Sequence, residues 1–232
     1  AGAQTITGPF LAVPYYFEVK DAANQSVLQK RNVYLLPDEL IIDGKILPQI
    51  KHRSIFQVPV YNSSLKIKGT FLPLKADKLP VNIQMLRFEE AVMCMGITDF
   101  KGIGENLQLK WNDSISVFET GLPDVNWLTT GISCPISLSA GTITTGISEF
   151  NISLSLKGSE QLYVTPFGST SKVHFESDWS NPAFDGKYLP DTSVVSGKGF
   201  TADWKVLHFN RTFPQQFINV GENLVSESAF GF

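Results

Sequence analysis

The chain has 232 residues, 43% of them hydrophobic and 18% charged, which excludes a disordered polymer and suffices for one large or two small domains with a real core. Lys and Arg number 19 against 22 Asp and Glu, so the net charge of −3 offers no footprint for nucleic acid. No window approaches eighteen consecutive apolar residues, and Cys94 and Cys134 are too few for a disulfide scaffold or a C-x-x-C zinc site.

Period-two alternation recurs along the chain and predicts half-buried strands. The first turn signal is Asp43-Gly44. Arg53–Tyr61 and Ser64–Lys68 then read as consecutive strands, with Leu65 and Ile67 on one face and the lysines on the other. Lys78–Glu90 is the best helical candidate, placing Leu79, Ile83 and Leu86 on one face, with Pro80 confined to a first turn. Single helical turns are expected within Asp99–Asn106, around Gly102-Ile-Gly104, and within Phe213–Phe217. The Thr/Ser/Gly-rich stretch Thr129–Ser148 is the softest place for a boundary in what otherwise reads as one domain over 1–232. Phe150–Leu156 and Ser171–Ser177 alternate cleanly, the latter with Val173 and Phe175 inward and His174 outward. Asp185-Gly186 is a further turn signal, and Asp203-Trp204-Lys205-Val206 alternates as a strand.

Tyr61-Asn-Ser-Ser-Leu-Lys-Ile-Lys-Gly69 echoes Phe150-Asn-Ile-Ser-Leu-Ser-Leu-Lys-Gly158, which fits either duplicated β halves or two similar strand-turn units. The fold class expected is all-β: a large antiparallel sandwich of two packed sheets with at most short helices.

Motifs with diagnostic spacing are missing: no H-E-x-x-H, P-loop, G-x-S-x-G or C-x-x-C occurs. Gly197-Lys-Gly-Phe-Thr-Ala202 matches G-x-G-x-x-A by letter only, because a strand rather than a helix follows. His52, His174 and His208 lie far apart, so neither a metal site nor a cofactor is expected, and no catalytic residue is assigned. Asn-x-Ser/Thr sequons at Asn24, Asn62, Asn112, Asn151 and Asn210 would carry glycans only in a eukaryotic secretory setting. Cys94 and Cys134 can form one bridge in an oxidising compartment or serve as two small buried hydrophobes. The most distinctive stretch is Phe175–Pro190, where Trp179, Phe184 and Tyr188 interleave with Asp178, Asn181 and Asp185. Aromatic faces beside polar acceptors suit a sugar or peptide groove; alternatively, the rings plug the core under a long loop.

Three runs in order resemble the CreD family: Leu156-Lys-Gly-Ser-Glu-Gln-Leu-Tyr-Val-Thr-Pro-Phe-Gly168, Ser177-Asp-Trp-Ser-Asn-Pro-Ala-Phe-Asp-Gly-Lys-Tyr-Leu-Pro190 and Gly199-Phe-Thr-Ala-Asp-Trp204. Gly8-Pro-Phe-Leu-Ala-Val-Pro14, Leu36-Pro-Asp-Glu-Leu40 with Asp43-Gly44, and Asp99-Phe-Lys-Gly-Ile-Gly104 extend the likeness over nearly the whole chain. The resemblance implies an inner membrane protein of cell-envelope integrity, associated with envelope stress, colicin tolerance and a two-component regulon. This chain would be its periplasmic domain, cut near Ala1 and Phe232 from flanking transmembrane helices. It brings no catalytic residues, and a Cys94–Cys134 bridge would be peculiar to this chain. Two roles follow as expectations: a non-catalytic module binding an envelope component or partner protein, or a glycan-binding or carbohydrate-active sandwich acting on peptidoglycan or another glycan. The oligomeric state is open.

Overall fold

In the computed structural model, which describes residues 2–53, 56–104, 107–218, 225 and 228–232, the alternating segments form two large sheets. In chain order the elements are β1 (Gln4–Lys20), β2 (Ser26–Leu35), β3 (Glu39–Arg53), β4 (Phe56–Phe71), β5 (Val92–Ile97), β6 (Gln108–Trp111), β7 (Ser114–Val117), β8 (Glu119–Thr120), β9 (Gly131–Pro135), α1 (Ala140–Thr145), β10 (Ser148–Ser159), β11 (Leu162–Thr165), β12 (Thr170–Ser177), β13 (Asp185–Gly186), β14 (Thr192–Ser196), β15 (Gly199–Leu207), β16 (Gln216–Phe217) and β17 (Phe230–Gly231). One sheet runs β14-β15-β12-β3-β4-β10-β6-β7. The other runs β13-β17-β11-β1-β5-β9-β8, with β2 on β1 and β16 on β2. Pairing is antiparallel except for β1 with β11 and β3 with β12, so the sheets are mixed rather than purely antiparallel.

Alternation translates directly into burial. Along β10 every second residue from Ser148 to Gly158 is buried, and in β4 Leu65 and Ile67 are buried while Lys66 and Lys68 are exposed. Phe175 and Trp204 of one sheet meet Phe232 and Phe230 of the other chain segment, with ring centroids 5.7 and 5.3 Å apart. Farther along, Phe10, Tyr34, Trp127, Phe167 and Phe217 form a second aromatic cluster. Tilted and edge-on ring contacts of this kind add to plain area burial.

The two echoing nonapeptides turn out to be paired with each other, end to end: Tyr61 faces Gly158 and Phe150 faces Gly69. A methyl on Gly158 would stand 2.2 Å from the Tyr61 hydroxyl, and one on Gly69 would stand 2.8 Å from Phe150 Cζ. Each strand thus lays its aromatic ring across the glycine of its partner, which gives the repeated aromatic and Lys-Gly positions a local packing reason.

Several local expectations change. Asp43-Gly44 is no turn but the middle of β3; Gly44 is required because a Cβ there would lie 2.5 Å from the Phe175 ring and 2.7 Å from Leu65. Lys78–Glu90 is not a helix: three short 3-10 turns at Ala76–Lys78, Ile83–Met85 and Phe88–Glu90 alternate with extended residues, and Leu86 bridges to Tyr15. Tertiary pairing and the Asn82 cap, which accepts from Gln84 N, override the helical spacing there. The expected turn near Gly102 is present as Phe100–Gly102, capped by Asp99, while Glu105 and Asn106 lie outside the described residues. Phe213–Phe217 is not helical and instead ends in β16, paired with β2. An α-helix, α1, falls in the Thr/Ser/Gly-rich stretch, where the Ser139 hydroxyl accepts the Thr142 amide.

Cys94 and Cys134 are buried and free. Met93 faces Cys134 and Cys94 faces Ser133 across β5 and β9, so alternation turns the two thiols to opposite faces of the sheet. The possible bridge is therefore replaced by two packed thiols. Burial pushes both thiols up, that of Cys134 to about 12.

Candidate functional site

The segment singled out in the sequence is a loop from Asp178 to Pro190 that closes one end of the sandwich, and its residues separate into three groups. Phe184 and Tyr188 face the core. Phe184 stands 5.5 Å from Phe200 and 5.7 Å from Trp204; Tyr188 meets Phe230 edge to face at 5.8 Å and donates its hydroxyl to the Asn210 carbonyl at 2.6 Å. Trp204 Nε1 donates to the Tyr188 carbonyl, so the loop is fastened by both side chain and backbone. Burial raises the Tyr188 phenol above its ordinary value.

Trp179, Asn181 and Asp185 instead line a groove of about 420 Å³. The Trp179 indole donates to the Asn181 carbonyl at 2.7 Å, which holds the ring in place, yet the residue stays 37% exposed. Asp185 accepts the Tyr163 hydroxyl at 3.1 Å and the Gly186 amide at 2.6 Å. Burial, and then the Asp185 carboxylate, raise the Tyr163 phenol. Gly186 has φ +98°, and a Cβ there would meet the Ala229 carbonyl oxygen at 2.5 Å, so a glycine is required, but Asp185-Gly186 is no turn: the pair forms β13, hydrogen-bonded to β17. Asp178 belongs elsewhere: with Lys45, Glu176 and Lys198 it lines a separate hollow of about 260 Å³. Asp178 and Asp185 therefore line two different hollows, which adjoin at Ile46 and Ser177.

The opposite groove wall comes from residues the sequence did not single out. Tyr163 arrives on β11, Glu160 and Gln161 on the β10–β11 turn, Pro48 on β3, and Pro59 and Tyr61 on β4. The Tyr61 hydroxyl donates to the Gln161 carbonyl at 2.8 Å, and the same carbonyl accepts the Gln4 amide at 3.0 Å. Glu160 sits at φ +69°, the left-handed conformation of the tight turn it forms. Pro48 and Pro59 lie where β3 and β4 have lost their outer neighbours, since β12 reaches only Ile46 and β10 only Val60. Proline, lacking an N–H, is confined to such edges, so two prolines inside alternating strands were the available signal for this wall. No Lys, Arg or His lines the groove, and no cluster of three or more metal-ligating side chains occurs among the described residues.

Comparison with known proteins adds a family. The profile described as Inner membrane protein CreD matches residues 1–232. Inner membrane protein CreD of Escherichia coli (strain K12) is 27% identical over 225 residues, covering 94% of this chain and 48% of that protein. The chain thus spans about half the length of this curated relative. Among solved structures, an M1 zinc metallopeptidase from Deinococcus radiodurans aligns at 9% identity and TM-score 0.30, over 74% of this chain and 38% of that one. The E323A mutant of an M1 zinc metallopeptidase from Deinococcus radiodurans, bound to a Tyr-Ser-Ala substrate, aligns at 8% identity and TM-score 0.31, over 74% of this chain and 39% of that one. No helix among the described residues is long and apolar enough to cross a membrane.

Proposed function

The chain belongs to the CreD family of inner membrane proteins, and from that premise we propose that it is a non-catalytic domain on the periplasmic side which binds an envelope component or partner protein in the groove beside Trp179. The observation that carries this reading is the groove wall: Trp179, Tyr61 and Tyr163 together with Glu160 and Asp185, and no basic side chain among the described residues. Ring faces attract a cation and carboxylates pair with it, so the wall suits an ammonium or guanidinium group on an apolar stem. The ligand class is an amine-bearing envelope peptide or a Lys- or Arg-bearing segment of an envelope protein.

Coupling to the membrane has support in the position of the groove. Phe232 lines it, Phe232 also pairs with Leu162, and the Gly2 carbonyl accepts the Ser159 amide one residue before Glu160. Membrane segments joined at both ends would therefore leave the fold beside the bound ligand and respond to occupancy. The envelope-stress and colicin-tolerance roles of the family would be the output of that response.

Calorimetric titration of the domain with trilysine and triglutamate tests the reading. Trilysine should bind and triglutamate should not, and E160Q/D185N should weaken trilysine at least tenfold, or about 1.4 kcal/mol. Equal affinity for both peptides, or for neither, would overturn it. A glycan-binding or glycan-cleaving role draws on the presence of Glu160 and Asp185 in one groove. Saturable binding or hydrolysis of N-acetylglucosamine oligomers, lost in Asp185→Asn, would favour that second role.

A further inference from the structure

Arg211 is only 9% exposed, yet among the described residues no ion pair joins it to a carboxylate. Its Nη1 donates to the Phe167 carbonyl at 2.9 Å and its Nη2 to Gln215 Oε1, while the buried Nε has no hydrogen-bond partner among the described residues. A guanidinium brings five N–H donors and a permanent charge; its carbonyl partners carry no opposite charge, and beside them it has the face of the Phe213 ring, 5.0 Å from Cζ. Burial lowers its pKa to about 10, opposed only in part by nearby Tyr188 and Asp38.

The residue forms part of the wall of a cavity of about 610 Å³, shared with Lys75, Lys78, Ser169, His208 and Asp38. Three permanent cations thus face one carboxylate, and Asp38 already accepts the Leu72 amide at 2.9 Å. The Ser169 hydroxyl lies 3.4 Å from His208 Nδ1, placing a further polar pair on the wall. This cavity is remote from the groove: β12 starts next to Ser169 and ends at Ser177 in the groove wall, eight residues or about 26 Å at roughly 3.3 Å per residue.

We propose that this cavity is an oxyanion site that takes the phosphate or carboxylate group of a small ligand, with Arg211 setting the positive potential at its base and Lys75 and Lys78 contacting the oxygens. Arg211 also ties the chain at Phe167 to Gln215, whose amide reaches the Leu36 and Pro37 carbonyls. Its own substitution therefore endangers the fold, and the test uses the rim lysines. The intact chain is titrated with inorganic phosphate and with citrate, against chloride at matched ionic strength, and followed by amide chemical shifts and melting temperature. Saturable shifts at Ser169 and Arg211 are expected with at least one of the two oxyanions and not with chloride. K75A/K78A should weaken them at least tenfold while leaving the unliganded melting temperature within about 2 °C. The absence of saturable shifts with both oxyanions, or affinity unchanged in the double variant, would overturn the proposal.

Discussion

Removing the Phe184 ring separates the two halves of the distinctive loop energetically. Phe184 is half-buried against Phe200 and Trp204, whereas Trp179 is 37% exposed and its indole donates to the Asn181 carbonyl of its own loop. Full removal of a core Phe costs about 3–5 kcal/mol, so a half-buried ring with two edge contacts should cost about 2 kcal/mol. In a chain of this size each kcal/mol lowers the melting temperature by about 2–4 °C, giving a fall of about 4–8 °C for Phe184→Ala. Trp179→Ala loses one local hydrogen bond and a ring that meets no other aromatic side chain among the described residues, so it should cost less than Phe184→Ala. Urea unfolding followed by far-UV circular dichroism, with calorimetric melting alongside, measures both. A loss for Trp179→Ala equal to or larger than that for Phe184→Ala would refute the assignment of Phe184 to the core and Trp179 to the groove.

Other outcomes follow from burial and register. Because the two thiols face opposite sides of the sheet, reductant should leave the melting temperature unchanged, and denatured protein should take up two equivalents of alkylating reagent without prior reduction; one disulfide by intact mass would contradict the register. Gly44→Ala should destabilise by about 1–3 kcal/mol, through the clash with Phe175 and Leu65, while Gly197→Ala, with nothing within 4 Å, should stay within about 0.5 kcal/mol. Alkaline stability has a definite sign. Burial raises the Cys94, Cys134, Tyr34 and Tyr61 acids above their ordinary values of 9.0 and 10.0, so the unfolded chain releases these protons first. Stability should therefore be intact below pH 9 and fall as pH rises beyond it, by about 1.4 kcal/mol per pH unit for each group ionised only in the unfolded state. Tyr61→Phe should flatten the slope above pH 10 by one group's worth in pH-dependent urea titrations; an unchanged slope would contradict the burial of that phenol.

How much was legible in the sequence depended on the range of the contact. The alternation of Leu65 with Ile67 and of Val173 with Phe175 reports a residue's own two faces, and the structure keeps both. Helical spacing in Lys78–Glu90 failed because Leu86 is held by Tyr15, a partner 71 positions away in the numbering, through extended pairing. Gly44 looked like a turn because its real constraint, the Phe175 ring, arrives by the parallel pairing of β3 with β12. The groove was half visible for the same reason. Trp179, Asn181 and Asp185 lie close together in the chain, but Tyr61, Glu160 and Tyr163 reach them only through the β4–β10 and β1–β11 pairings. Phe184 and Tyr188 carried the same aromatic-beside-acid pattern as Trp179, and only packing tells the plugs from the wall.

The most direct test of the groove as the binding site is where a ligand perturbs the chain. With uniformly ¹⁵N-labelled protein titrated with trilysine, saturable shifts of the Trp179 indole N–H and of the Glu160 and Tyr163 amides are expected. The buried indoles of Trp111, Trp127 and Trp204 should stay unmoved. Saturable shifts confined to other surfaces, or no shifts at all, would contradict it.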